Sequence, residues 1–172
     1  MKKEYENSMQ KISNVGRRKM NRYMEKAKLN AEKGIQRGEG GPFGAVIVDK
    51  NGNIISNGNN QVIKQNDPTA HAEITAIREA CKKLNTYDLS EYIIYISCEP
   101  CPMCLSAIIW ANIKKVYYGC TKEDAGAIGF RDDMIYEYLK GKKKDVICLE
   151  KLDRDECLKV FKKYEEMDGI IY

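Results

Sequence analysis

The chain's only histidine, His71, opens the triplet His71-Ala72-Glu73, and further on Glu99-Pro100-Cys101-Pro102-Met103-Cys104 sets two cysteines two residues apart. A fold that serves both segments must bring the start of one against the start of the other. Two cysteines at that spacing can face one ion, and a histidine from another helix makes three ligands, leaving a fourth tetrahedral position for water. Structural zinc sites fill all four positions, so the outline is that of a catalytic site. The amide dipoles of a helix start favour thiolate over thiol, which raises metal affinity at Cys101 and Cys104. Glu73 is the carboxylate best placed to carry protons. A lone Cys-x-x-Cys is more often structural or redox-active, and a lone histidine is usually an ordinary core or surface residue. A redox reading leaves His71 and Glu73 unexplained.

Around these segments the hydrophobic period alternates between helix and strand. From Arg17, the residues Met20, Tyr23, Met24, Ala27, Ala31 and Ile35 recur at helical spacing, and the glycines at 38, 40 and 41 end the run. Phe43 to Asp49 and Asn53 to Ser56 read as antiparallel strands turned at Asn51-Gly52. Asp67-Pro68 predicts a helix start, and the helix runs through Leu84 with Ile74, Ile77, Cys81 and Leu84 as its apolar stripe. Tyr92 to Ser97 is a third strand. A helix from Pro100 or Cys101 to Ala111, a strand over Lys115 to Cys120, a fifth strand over Val146 to Leu149 and a helix over Arg154 to Met167 follow. This order predicts an α/β protein, a three-layer α/β/α sandwich around a central mixed five-stranded sheet. The polar residues 1 to 16 read as an extension, and 17 to 172 as a single domain.

The remaining composition narrows the function classes. No apolar run approaches the roughly 20 residues of a membrane-spanning helix, and the first residues lack the apolar stretch of a signal peptide, so a cytoplasmic location is expected. Seven cysteines, an odd number and scattered, read as thiols or ligands rather than a disulfide framework. Residues 1 to 39 hold 11 Lys or Arg against 5 Asp or Glu, whereas the rest hold 18 against 20. A basic leading segment suits RNA phosphates, but a solvated helix face explains it as well, and no nucleic-acid or membrane partner is expected.

The pairing of His-x-Glu with Pro-Cys-x-x-Cys is the pattern of zinc deaminases. Gly41 to Val48, Asn66 to Glu73 and Ser97 to Leu105 look like three consecutive motifs of the bacterial guanine deaminases. From about Met20 to Asp132 the chain resembles that group within the cytidine deaminase superfamily. The resemblance implies a Zn2+ ion held by His71, Cys101 and Cys104, with Glu73 as the catalytic proton shuttle. It implies that Asn60 hydrogen-bonds the base ring and that the backbone amide of Ala72 faces the substituents of the attacked carbon. Asp132, in Gly129-Phe130-Arg131-Asp132-Asp133, aligns with an aspartate that recognises the purine's amino and ring N–H groups. A cap for a helix over Met134 to Leu139 is the competing reading of Asp132.

The implied reaction is hydrolytic deamination of guanine to xanthine and ammonia, in purine catabolism or salvage. Relatives often dimerise through an exchanged C-terminal part, which would make this chain a homodimer with Trp110 and Tyr172 helping to close the pocket. The N-terminal extension, Arg131 and the charged 140 to 168 region depart from the pattern, and they weaken the assignment of the closing residues. The rival readings are a tRNA adenosine deaminase, a cytosine or cytidine deaminase, and a non-catalytic zinc- or RNA-binding module. Only the last leaves Glu73 without a purpose.

Overall fold

A computed structural model describes residues 20–171. Residues 1–16, expected to form an extension, and Tyr172 lie outside the described residues. The chain divides into two compact units that meet between Asp132 and Asp133.

The first unit opens with helix α1, Arg22–Gln36. Asn21 caps it, its side chain accepting from the amides of Tyr23 and Met24, which satisfies two of the donors a helix start leaves free. Strands β1 (Gly44–Val48) and β2 (Ile54–Asn59) pair antiparallel. The turn between them is organised by Asp49, whose Oδ1 accepts from Asn51 and Asn53 at 2.8 Å each, while Gly52 takes the expected positive φ of 84°. After the short helix α2 (Val62–Gln65) come α3 (Ala72–Leu84), β3 (Ile93–Cys98), α4 (Pro102–Trp110), β4 (Lys115–Cys120) and α5 (Lys122–Ala127).

The strands form one mixed sheet in the order β2-β1-β3-β4, antiparallel except for the parallel β3–β4 pair. Alternation along β1 divides the core into two layers, as a period of two requires. Ala45 and Ile47 face α3 and α4 in a cluster with Ala72, Ala76, Ala80, Ile94, Ile96 and Ile108, whereas Val46 and Val48, with Tyr95 of β3, pack on the α1 side against Ala27, Tyr23 and Met24. Helices therefore cover both faces, as the apolar strands demanded. Ile47, Ile94, Ile96 and Ile108 are almost wholly buried, each contributing about 1.5–3 kcal/mol by leaving water.

Two expectations need correction. The sheet has four strands among the described residues, not five. Val146 to Leu149 enters no ladder, and Ile147 and Leu149 are exposed, so nothing there supplies the cross-strand hydrogen bonds that make an apolar run a strand. The helix expected from Asp67-Pro68 starts only at Ala72. The Asp67 carboxylate turns back on Thr69, accepting from its amide at 2.8 Å and its hydroxyl at 2.7 Å. This local Asx turn competes with helix and delays it.

Close approach of α3 to the sheet depends on Gly58, where a Cβ would fall 2.1 Å from the carbonyl oxygen of Ala72; Gly44 meets the Ala27 carbonyl of α1 in the same way, at 2.0 Å. Both obstacles are backbone, so neither can swing aside. Gly58→Ala is expected to cost about 1–3 kcal/mol in denaturant unfolding, the usual penalty of overpacking. It should also displace the start of α3, because the atom it meets belongs to Ala72, the first residue of that helix. Wild-type unfolding of this variant would mean that α3 has room to move.

The second unit holds α6 (Asp133–Leu139) and α7 (Arg154–Glu166), close to the expected helices over 134 to 139 and 154 to 167. Neither buries a residue fully; on α7, Val160 and Phe161 are 66% and 73% exposed. Among the described residues no helix is long and apolar enough to cross a membrane.

Candidate metal centre and substrate cavity

His71 and Cys101 occupy equivalent places: each is the N-cap of its helix, in extended backbone with ψ of 160° and 167°. Neither side chain caps its own helix. Pro102 at the first position of α4 costs nothing there, because that amide has no helical partner, and it sets Cys104 in the first turn.

The two helix starts converge. His71 Nδ1 lies 3.4 Å from Cys104 Sγ and 3.6 Å from Cys101 Sγ, and the three ligand atoms all fall within 4.8 Å of one another. A tetrahedral zinc with bonds of about 2.3 Å to sulfur and about 2.0 Å to nitrogen would set its ligands about 3.5–3.8 Å apart. The donor set and its spacing therefore fit zinc.

The hydrogen bond between the two cysteines sets their acidities apart. A hydrogen bond from Cys104, aided by His71, holds the Cys101 thiol down at about 4; Cys104, beside that thiolate and fully buried, is pushed far up. His71 is raised above its ordinary value, chiefly by its hydrogen bond with Cys101, although burial opposes the shift. Glu73, on the first turn of α3 and 7% exposed, is raised by burial. Burial that favours the protonated carboxyl suits a group that must hold a proton as well as give it up.

The centre opens on a cavity of about 440 Å³, the size of a small-molecule site. His71, Glu73 and Cys101 line it together with Asn60, Asp132, Glu99 and Arg131. Phe43 and Phe130 form an apolar wall, their rings edge to face at 5.0 Å. Asn60 is 4% exposed; its Oδ1 accepts from the amides of Gly41 at 3.2 Å and Val62 at 3.3 Å. These bonds fix which way the amide points and leave Nδ2 to donate.

Sequence reasoning named His71, Glu73, Cys101, Cys104, Asn60 and Asp132, and the fold gathers all six at or beside this cavity. The amide of Ala72 opens α3 next to His71. Trp110 ends α4, 71% exposed, and is not among the lining residues of this cavity. Phe43, Phe130 and Glu99 were quoted within motifs but not recognised as walls. The meeting of the β1 entry with the segment after α5 reveals the two phenylalanines, and the cavity reaching the end of β3 reveals Glu99.

The family model for the cytidine and deoxycytidylate deaminase zinc-binding region matches residues 17–120. The chain belongs to that family. Within it, this deaminase is 55% identical over 115 residues to guanine deaminase of Bacillus subtilis, a match covering 67% of the chain and 73% of the relative. The solved structure of Bacillus subtilis guanine deaminase superposes with a TM-score of 0.80 at 45% identity, over 86% of this chain and 95% of the other. A tRNA-specific adenosine deaminase of Haemophilus influenzae is 44% identical over 97 residues, 56% of each chain. The family binds zinc, and the His/Cys/Cys group is where this member's side chains suit it.

Proposed function

We propose that this deaminase hydrolyses free guanine to xanthine and ammonia. The observation that carries the reading is a buried carboxyl, Glu73, beside a three-ligand zinc group at the end of a cavity that also presents Asn60 and Asp132. The likeness to a curated guanine deaminase supports the choice of base.

Zinc held by His71, Cys101 and Cys104 supplies, when bound, a water of lowered pKa and a Lewis acid for the oxygen that replaces the amino group. The rest is the work of side chains. Asp132 offers only acceptors, matching the N1–H and 2-amino donors of guanine, whereas the corresponding edge of adenine lacks that pair. Asn60 donates from Nδ2 to an acceptor of the ring. Phe43 and Phe130 exclude water from the faces of the base. Held so, the base presents C2 to the metal centre. Glu73 moves protons from the attacking water to a ring nitrogen and then to the departing amine, and its buried, raised carboxyl suits both steps. The amide of Ala72 faces the substituents of the attacked carbon.

Asn60→Asp keeps the two accepted bonds and removes the donor. It is expected to raise KM for guanine tenfold or more, since a lost buried hydrogen bond costs about 1–3 kcal/mol. A KM equal to wild type would take Asn60 out of the binding site. Ammonia release is the direct test of the function, with guanine, adenine, cytosine, guanosine and tRNA in parallel. Turnover of guanine is the expected result; activity on tRNA with none on guanine would move the substrate to nucleic acid while keeping the metal chemistry.

Residues 17–172 then act as one deaminase domain whose C-terminal unit is exchanged between two copies of the chain, with Trp110 and Tyr172 helping to close the pockets. The exposed apolar residues of α7 and the exposed edge strand β4 support this arrangement. Light scattering after size exclusion should give the mass of a dimer, and a monomer mass would reject it. A cytoplasmic place in purine breakdown or salvage goes with the reading.

A further inference from the structure

Among the described residues, Glu39 is the buried carboxylate besides Glu73. It lies outside the metal centre, in the loop between α1 and β1, and its side chain is 8% exposed. Its two oxygens are divided: Oε1 meets Lys64 Nζ at 2.7 Å, and Oε2 accepts from Asn59 Nδ2 at 2.8 Å. Its backbone carbonyl accepts from the amides of Ile63 at 3.1 Å and Lys64 at 3.0 Å. Asn59 and Lys64 flank Asn60 on either side, and both are tied to this one residue. The clamp extends through Asn59, whose Nδ2 also donates to the Asn60 carbonyl at 3.1 Å and whose Oδ1 accepts from Gln61 Nε2 at 3.2 Å. From Gln61 the backbone reaches the loop before His71, through a bond from its amide to the Ala70 carbonyl at 2.8 Å.

We propose that Glu39 is a positioning residue for substrate binding, holding the 59–64 segment so that the Asn60 amide presents its donor to the base. The proposal rests on the reading of Asn60 as a base contact. Lys64 and Asn59 together hold the Glu39 carboxyl below its ordinary value, so the clamp is charged at neutral pH. A glutamine at 39 has nearly the same shape but one acceptor, and its NH2 would face one of the two donors. The two donors that Glu39 satisfies therefore cannot both be kept, and the segment bearing Asn60 loosens. Lys64→Met tests the same clamp from its other end.

The experiment is a double-mutant cycle of Glu39→Gln and Asn60→Asp, reading KM and kcat for guanine, zinc content, and the dissociation constant of xanthine by titration calorimetry. In the wild-type background Glu39→Gln is expected to raise KM and the xanthine constant together, by about tenfold. Its kcat should stay within about twofold and its zinc content unchanged, because the metal centre is untouched. In the Asn60→Asp background the same substitution should leave KM where Asn60→Asp alone puts it. Three results overturn the proposal: a wild-type KM in Glu39→Gln, a rise that persists undiminished in the Asn60→Asp background, or a joint loss of kcat and zinc that marks a merely structural role. An unchanged KM in Asn60→Asp alone rejects the reading of Asn60 and takes the proposal with it. A raised KM there beside a wild-type KM in Glu39→Gln rejects the proposal alone.

Discussion

Glu73→Gln should bind one zinc per chain and turn over guanine at least about 10²–10⁴ times more slowly than wild type, the usual worth of a positioned acid-base group. The substitution keeps the size of the side chain and its place on the first turn of α3, and removes only the group that gains and loses a proton. Glu73 is not one of the three residues whose ligand atoms cluster, so metal content should not fall. The loss should appear in kcat and kcat/KM alike, because the carboxyl acts on the reacting atoms rather than on ground-state binding. Removing a buried carboxyl whose ionisation burial already opposes should leave unfolding unchanged or slightly stabilise the chain. A Glu73→Gln protein with full activity would sink the proton-shuttle assignment. One that had lost its zinc would make Glu73 part of the metal's support instead.

The second large effect is expected at Cys104. Its side chain is fully buried and its Sγ lies 3.4 Å from His71 Nδ1, so Cys104→Ala leaves two ligands and a gap where the third stood. Zinc measured after dialysis should fall well below one per chain, and deamination should drop to background. Zinc bound by the native state alone stabilises it, by about 4 kcal/mol when free metal stands at a thousand times its dissociation constant. Chelator should therefore lower the melting temperature of the wild type and leave that of Cys104→Ala where it was. A variant that keeps stoichiometric zinc and still answers to chelator would show that the ion sits elsewhere. The two substitutions separate cleanly: one keeps metal without turnover, the other loses both.

The chemistry of the centre was legible in the chain because it depends on residue types at short spacings. Pro-Cys-x-x-Cys determines that two thiols share a helix start, and His-x-Glu that a ligand and a carboxylate share another. The strands over 43 to 49, 92 to 97 and 115 to 120 were equally legible, since an apolar run between turn residues carries its own period. Local signals failed where two local structures competed, as at Asp67, whose carboxylate folds back on Thr69 instead of capping a helix. They failed again at Val146 to Leu149, because a strand is defined by hydrogen bonds to a neighbour that its own residues do not specify.

What the tertiary structure alone decided is which distant segments meet. No spacing along the chain joins Phe43 to Phe130, or sets the Glu39 carboxylate between Asn59 and Lys64. Glycines leave room for both: a Cβ on Gly41 would fall 2.9 Å from the Phe43 ring and 3.0 Å from that of Phe130, and one on Gly34 would fall 2.7 Å from Asn59 Nδ2. Sequence by itself determined which side chains gather as a candidate donor set, His71 with Cys101 and Cys104, and that the carboxyl of Glu73 stands beside them. The shape of the cavity and the orientation of Asn60 arise from long-range packing, in which each residue's place is set by partners far away in the chain.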